Sequence, residues 1–128
     1  MAIRIVRFGT ARQPDEGPRI GTVRRPPRGV PKAQFASQNW YDVWFPTLAP
    51  SLEAMKQAQA AKTPAAWATF TRKFMAEMKQ TEAAHALNLL AAMSHRSHFA
   101  IGCYCEDEAH CHRSVLRQLL AERGAEIA

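Results

Sequence analysis

The densest run of reactive side chains is Cys103-Tyr104-Cys105-Glu106-Asp107-Glu108-Ala109-His110-Cys111-His112-Arg113-Ser114. It follows an apolar stretch with the period of a strand and precedes one with the period of a helix, so it reads as a strand-to-helix connection. A cysteine at a helix N-terminus faces unpaired backbone N–H groups and the positive end of the helix dipole, both of which favour its thiolate. Cys111 occupies that place. The same amides can hold an anion, with His112, Arg113 and Ser114 adding donors. Cys105 is the other candidate nucleophile, and Glu106 and His112 are the candidate acid–base partners.

The arrangement is similar to the reactive loop of cysteine phosphatases and rhodaneses, which joins a strand to a helix. A Cys-x5-Arg loop starting at Cys105 would place an arginine at position 111, where Cys111 stands. The cluster also admits a metal reading, with Cys103 and Cys105 on one strand face and Cys111 completing a tetrahedral set with His110 or His112. The spacing Cys-x-Cys-x5-Cys-His is not a standard zinc pattern, so neither a structural metal nor a cofactor is expected. In the plainest reading Cys103 is a small buried hydrophobe and the histidines only cap a helix.

A second feature is basic. Seven arginines, Arg4, Arg7, Arg12, Arg19, Arg24, Arg25 and Arg28, fall in the first 28 residues of a chain whose formal charge is +6. Guanidinium groups bind phosphate and sulfate in a fork geometry, which makes Arg12, Arg24, Arg28 and Arg113 candidates for an anion clamp. Two alternatives stand beside this. The arginines can pair with Asp15, Glu16 and Glu106 or face water, or they can contact nucleic-acid phosphates, in which case binding weakens steeply with salt. Only Phe8 and Phe35 interleave the basic run, thin for a single-strand stacking platform.

The elements that must position these groups follow from periodicity. Residues 3 to 8 alternate apolar and basic and stop at Gly9-Thr10, a strand running into a loop. From Gln13 to Lys32 five prolines and three glycines exclude a helix and leave a short strand near Arg19 to Val23. Trp40, Tyr41, Trp44 and Phe45 read as core or pocket lining. A helix starts at Leu48-Ala49-Pro50-Ser51. A second spans Thr63 to Lys79, with Thr63 as N-cap, Pro64 at the first position, and Trp67, Phe70, Phe74 and Met78 at three- and four-residue steps. A third spans Thr81 to Met93. Ser97 to Cys105 reads as a buried strand with Cys103 and Cys105 on the same face, and a last helix runs from about Cys111 to Arg123, closed by Gly124.

These elements predict one α/β layered domain over residues 1–128, a short sheet with the N-terminal and C-terminal strands adjacent and helices around it. The chain has 128 residues, 47% hydrophobic and 22% charged. That length buries a core without staples. No apolar run approaches the roughly 18 residues of a membrane span, and three cysteines in one compact run do not form a disulfide framework. A soluble, cytoplasmic protein with reduced thiols and no membrane partner is expected. Ligands of such sheets bind outside the carboxyl ends of the strands, so the loop after Gly9 and the loop after Cys105 should open on one edge, where Arg12, Arg24 and Arg28 can converge on Cys111.

The chain resembles, nearly over its full length, the family called domain of unknown function 488. The matching pieces are Arg7-Phe8-Gly9-Thr10, Arg24 with Pro27-Arg28-Gly29-Val30, Leu48-Ala49-Pro50-Ser51, the helix bearing Trp67 and Phe70, and above all Cys105-Glu106 followed by Cys111-His112-Arg113-Ser114. Where relatives commonly read Val-Asp-Arg-Leu-Trp-Pro-Arg-Gly, this chain has Val23-Arg24-Arg25-Pro26-Pro27-Arg28-Gly29, without the aspartate and the tryptophan. The resemblance implies a small α/β domain. The residues point to an enzyme acting on an anionic small molecule, or alternatively to a nucleic-acid-binding module with a structural or metal-binding Cys/His cluster; the small molecule is the favoured partner.

Overall fold

A computed structural model describes residues 2–128. Four strands, β1 (Ile3–Arg7), β2 (Arg19–Gly21), β3 (Val43–Trp44) and β4 (Phe99–Cys103), form one all-parallel sheet in the order β1-β4-β2-β3. The helices are α1 (Leu52–Ala60), α2 (Pro64–Met78), α3 (Thr81–Met93) and α4 (His112–Glu122). The first strand does lie beside the one carrying Cys103, with Arg7 opposite Cys103 in register. Among the described residues no helix is long and apolar enough to cross a membrane.

β4 is buried along its whole length, as its sequence FAIGC requires of a central parallel strand covered on both faces. Phe99 and Ile101 join Ile3 of β1, Phe70 and Phe74 of α2, Leu87 of α3 and Leu116 and Leu120 of α4 in the main core. Phe8, Val23, Tyr41, Cys103 and Cys111 form a second cluster at the carboxyl end of the strands. Gly102 lets β1 and β4 close together, since a Cβ there would lie 2.6 Å from the Val6 carbonyl oxygen and 2.7 Å from the Phe8 ring.

Helix ends follow their sequence signals. The Thr63 hydroxyl accepts from the Ala66 N–H, with Pro64 in the first turn, and Ser51 accepts from Ala54 N–H at the start of α1. Gly124 takes a positive φ of 78° just beyond α4. The strands differ from expectation. β2 ends at Gly21, although Thr22 N–H still donates to the Gly102 carbonyl at 3.2 Å, and β4 ends at Cys103 where Cys105 was expected to continue it. Cys105 N–H turns back to Cys103 Sγ at 3.2 Å, so Cys105 leaves the strand face that Cys103 occupies.

The basic N-terminal stretch is organised by one buried ion pair. Arg19 is 0% exposed and Glu16 2%. The Arg19 guanidinium donates to both Glu16 oxygens, at 2.5 and 3.2 Å, and to the carbonyls of Asn39 at 2.7 Å and Ala11 at 3.3 Å. It thereby ties the loop after β1 to the loop before β3. Burial raises the Glu16 carboxyl pKa, but the Arg19 hydrogen bond, the Gln13 N–H and the charges of Arg19 and Arg12 outweigh it and leave the pKa below its ordinary value of 4.5.

Removing one partner strands the other charge in the core, so Arg19→Met should lower the unfolding free energy by about 3–5 kcal/mol in urea titrations. A loss under about 1 kcal/mol would show the pair to be no more than a surface contact. Because the folded carboxyl is the more acidic, the Glu16 contribution is present above pH 4.5 and is lost as pH falls below it. The Glu16→Gln variant should show a flatter acid limb.

Candidate active site

Cys111 is the N-cap of α4, in extended conformation (φ −136°, ψ 152°), and its side chain caps no backbone amide. A short 3₁₀ turn, Glu108–His110, delivers the chain to this position, started by Asp107, whose carboxylate accepts from Ala109 N–H. The Ser114 hydroxyl donates to the Cys111 carbonyl at 2.9 Å, which fixes the backbone and leaves the sulfur free to face the strand ends.

Three groups converge on that sulfur. Cys103 Sγ lies 3.1 Å away, Arg113 Nε donates at 3.4 Å, and His112 Nδ1 lies 3.7 Å away. The neighbouring thiols of Cys103 and Cys105 outweigh burial and, with His112, hold the Cys111 thiol pKa far below its ordinary value. Cys103 moves the opposite way, raised by its bonding to Cys105 and Cys111 and by burial. Cys105 is drawn down by Cys103, but Cys111 and burial prevail and leave it raised. Of the three sulfurs, Cys111 is the one whose surroundings favour the charged form, while those of Cys103 and Cys105 favour the thiol.

His112 is oriented by the sheet. Its Nε2 lies 2.5 Å from the Thr22 carbonyl oxygen, beyond the end of β2, with Phe74 edge-on to the ring. A carbonyl oxygen only accepts, so Nε2 carries the hydrogen and Nδ1 is left to exchange a proton with Cys111. The Thr22 hydroxyl is spent on the Gly102 carbonyl. Thiol, imidazole and an orienting third group are the parts of an activated cysteine nucleophile.

This cluster lies on the floor of a cleft of about 520 Å³ at the carboxyl ends of β1, β4 and β2. Arg7, Arg24, Arg25 and Arg28 line it, and among the described residues none of them meets a carboxylate. Trp40 and Tyr104, edge to face at 5.7 Å, form an aromatic wall, and the Trp40 indole N–H is buried without a partner among the described residues. Cys103, Cys111 and His112 also present ligand atoms within 4.8 Å of one another, a donor set suited to a soft cation such as zinc.

The residues singled out in the sequence divide. Cys105, Cys111, His112, Arg24 and Arg28 line the cleft, whereas Arg113 sits buried behind it, donating also to the Cys105 carbonyl at 2.6 Å. Arg24 spends donors on the carbonyls of Pro50 and Ala49. Arg12 is not brought there: it pairs with Asp42 at 2.7 Å. Glu106 is exposed and lines no part of the cleft, and the Ser114 hydroxyl is committed to the Cys111 carbonyl. Cys103 was read from sequence only as a metal ligand or a small buried hydrophobe, and Arg7 and the Thr22 carbonyl were not read as site groups. The period-two pattern of their strands was the signal that could have found the first two.

A family model described as DUF488-N3a, active DUF488-N3 subclade, matches residues 3–124. No curated protein and no solved structure matches the chain.

With iodoacetamide at about pH 6 to 7, Cys111 should be alkylated well ahead of Cys103, because only the ionised sulfur attacks. Peptide mapping reads the order. Equal rates at the two positions would remove Cys111 as the activated thiol.

Proposed function

The chain belongs to the DUF488-N3a family, and from the sulfur cluster in its cleft we propose that it is an enzyme in which Cys111 attacks a small molecule carrying a phosphate- or sulfate-like group. The observation that carries this reading is the Cys111 sulfur, held by Cys103, Arg113 and His112 at a helix N-terminus in a cleft lined by four arginines that meet no carboxylate among the described residues.

In this mechanism Arg28, Arg7 and Arg25 hold the anionic group while the thiolate attacks the adjacent electrophilic centre. The sulfur-to-centre bond forms as the bond to the leaving group breaks. His112 Nδ1, holding the proton that Cys111 gave up, passes it to the leaving group. Arg113 is a positioning residue: its contacts are the Cys111 sulfur and the Cys105 carbonyl. A dipole at one helix end contributes only about 0.3 to 2 kcal/mol, so affinity must come chiefly from the guanidinium forks.

The shape of the site favours a small molecule over a duplex. A cleft of about 520 Å³ with Trp40, Tyr104, Pro26 and Pro27 among its lining matches the concave, largely apolar sites of small ligands. Nucleic-acid backbones are met by exposed basic surface with a strong salt dependence.

Titration calorimetry with inorganic phosphate and sulfate tests the reading. Arg28→Ala and Arg7→Ala should each weaken binding by about tenfold, the loss of one charge-assisted contact, and Arg12→Ala should leave it unchanged. Equal weak binding in all four proteins would overturn the anion site. So would duplex binding with a salt slope of several phosphates lost in the same variants.

A further inference from the structure

The distance between Cys103 and Cys111 supports a chemistry separate from attack on an anionic substrate. Both thiols are buried, 3% and 2% exposed, and their sulfurs are 3.1 Å apart. A disulfide bond is about 2.05 Å long, so closure needs about 1 Å of movement. The two side chains already face each other from the end of β4 and the first cap of α4. Both residues also line the cleft.

We propose that Cys103 and Cys111 are a redox-active dithiol that reduces hydrogen peroxide and closes as a buried disulfide, with Cys111 the attacking and Cys103 the resolving thiol. In the first step the Cys111 thiolate attacks one peroxide oxygen, the O–O bond breaks, and the departing hydroxide takes up a proton to leave as water. Cys111 becomes a sulfenic acid. In the second step Cys103 attacks the Cys111 sulfur, the S–O bond breaks, and a second water leaves with the Cys103 proton. Two thiols are oxidised by two electrons and one peroxide is reduced to two waters, so no further reactant is needed. A dithiol such as dithiothreitol reverses the closure by exchange.

Cys105 is the competing resolving thiol, and the sulfur contact of Cys111 is to Cys103, at 3.1 Å. Cys105 lies in the exposed loop, and its N–H donates to Cys103 Sγ at 3.2 Å, which stabilises the strand-end sulfur in the position facing Cys111. The Arg113 Nε–H on Cys111 Sγ adds a donor beside the sulfur on which the sulfenic oxygen forms. Closure would also take Cys111 out of use as a nucleophile and protect it from further oxidation.

The test treats the protein with a small excess of hydrogen peroxide at about pH 7 and follows intact mass and the non-reduced peptide map. Cleavage after Tyr104 and after Glu106 separates the three cysteines. Wild type and Cys105→Ser should each lose two hydrogens, form a Cys103–Cys111 cross-link reversed by dithiothreitol, and react about tenfold faster than free cysteine. Cys103→Ser should form no cross-link and should accumulate a Cys111 sulfenic acid that dimedone traps. A wild-type cross-link through Cys105, or oxidation of all three cysteines at the free-cysteine rate, would overturn the proposal. Since phosphate binding by the arginines needs no thiol, a failure here leaves the anion site standing, and the reverse also holds.

Discussion

The hydrogen bond from His112 Nε2 to the Thr22 carbonyl is the contact from which the site's chemistry follows. It joins the first residue of α4 to the backbone just beyond β2, and so fixes the imidazole plane and its proton at once. With Nε2–H committed to a main-chain acceptor, Nδ1 is the nitrogen that meets Cys111. The parallel order β1-β4-β2 then supplies the rest, because the central strand ends at Cys103 within 3.1 Å of the helix-cap sulfur. A sheet with an antiparallel last strand would send that carboxyl end, and the thiol on it, to the opposite edge.

Electrostatics divides the N-terminal arginines into two groups. Arg4, Arg12 and Arg19 meet Asp15, Asp42 and Glu16, and the last of these pairs is buried and holds two loops against the sheet. Arg7, Arg24, Arg25 and Arg28 line the cleft. Local charge excess becomes a local positive potential in a concave, partly apolar site, where an anion is less screened than on an open surface.

Much of this architecture was legible in residue patterns. Thr63-Pro64 and Gly124 marked helix ends through capping physics, and the alternation in residues 3 to 8 and in Phe99-Ala100-Ile101-Gly102-Cys103 marked two strands that do pair. Cys111 stood out as a helix cap because the apolar stripe of Val115, Leu116, Leu119 and Leu120 begins just after it. Other features depend on contacts distant in sequence. Nothing local tells Arg12 that Asp42, 30 residues on, will neutralise it while Arg28 meets no acid among the described residues. β3 is two residues long, too short for a period to show, and the end of β4 at Cys103 is set by the turn of Cys105 back onto that sulfur. The role of Thr22 lies in its backbone, which no side-chain pattern reveals.

The central claim is that one sulfur of the three is ionised in the resting protein and that it belongs to Cys111. The ultraviolet absorbance of the thiolate, followed across an acid-to-base titration of the wild type and of Cys111→Ser, tests this directly. One thiolate per chain should persist well below the ordinary thiol value of about 8.5, and should be missing from the variant. Three thiols ionising together near the ordinary value, or a low-pH thiolate that survives the substitution, would contradict the account.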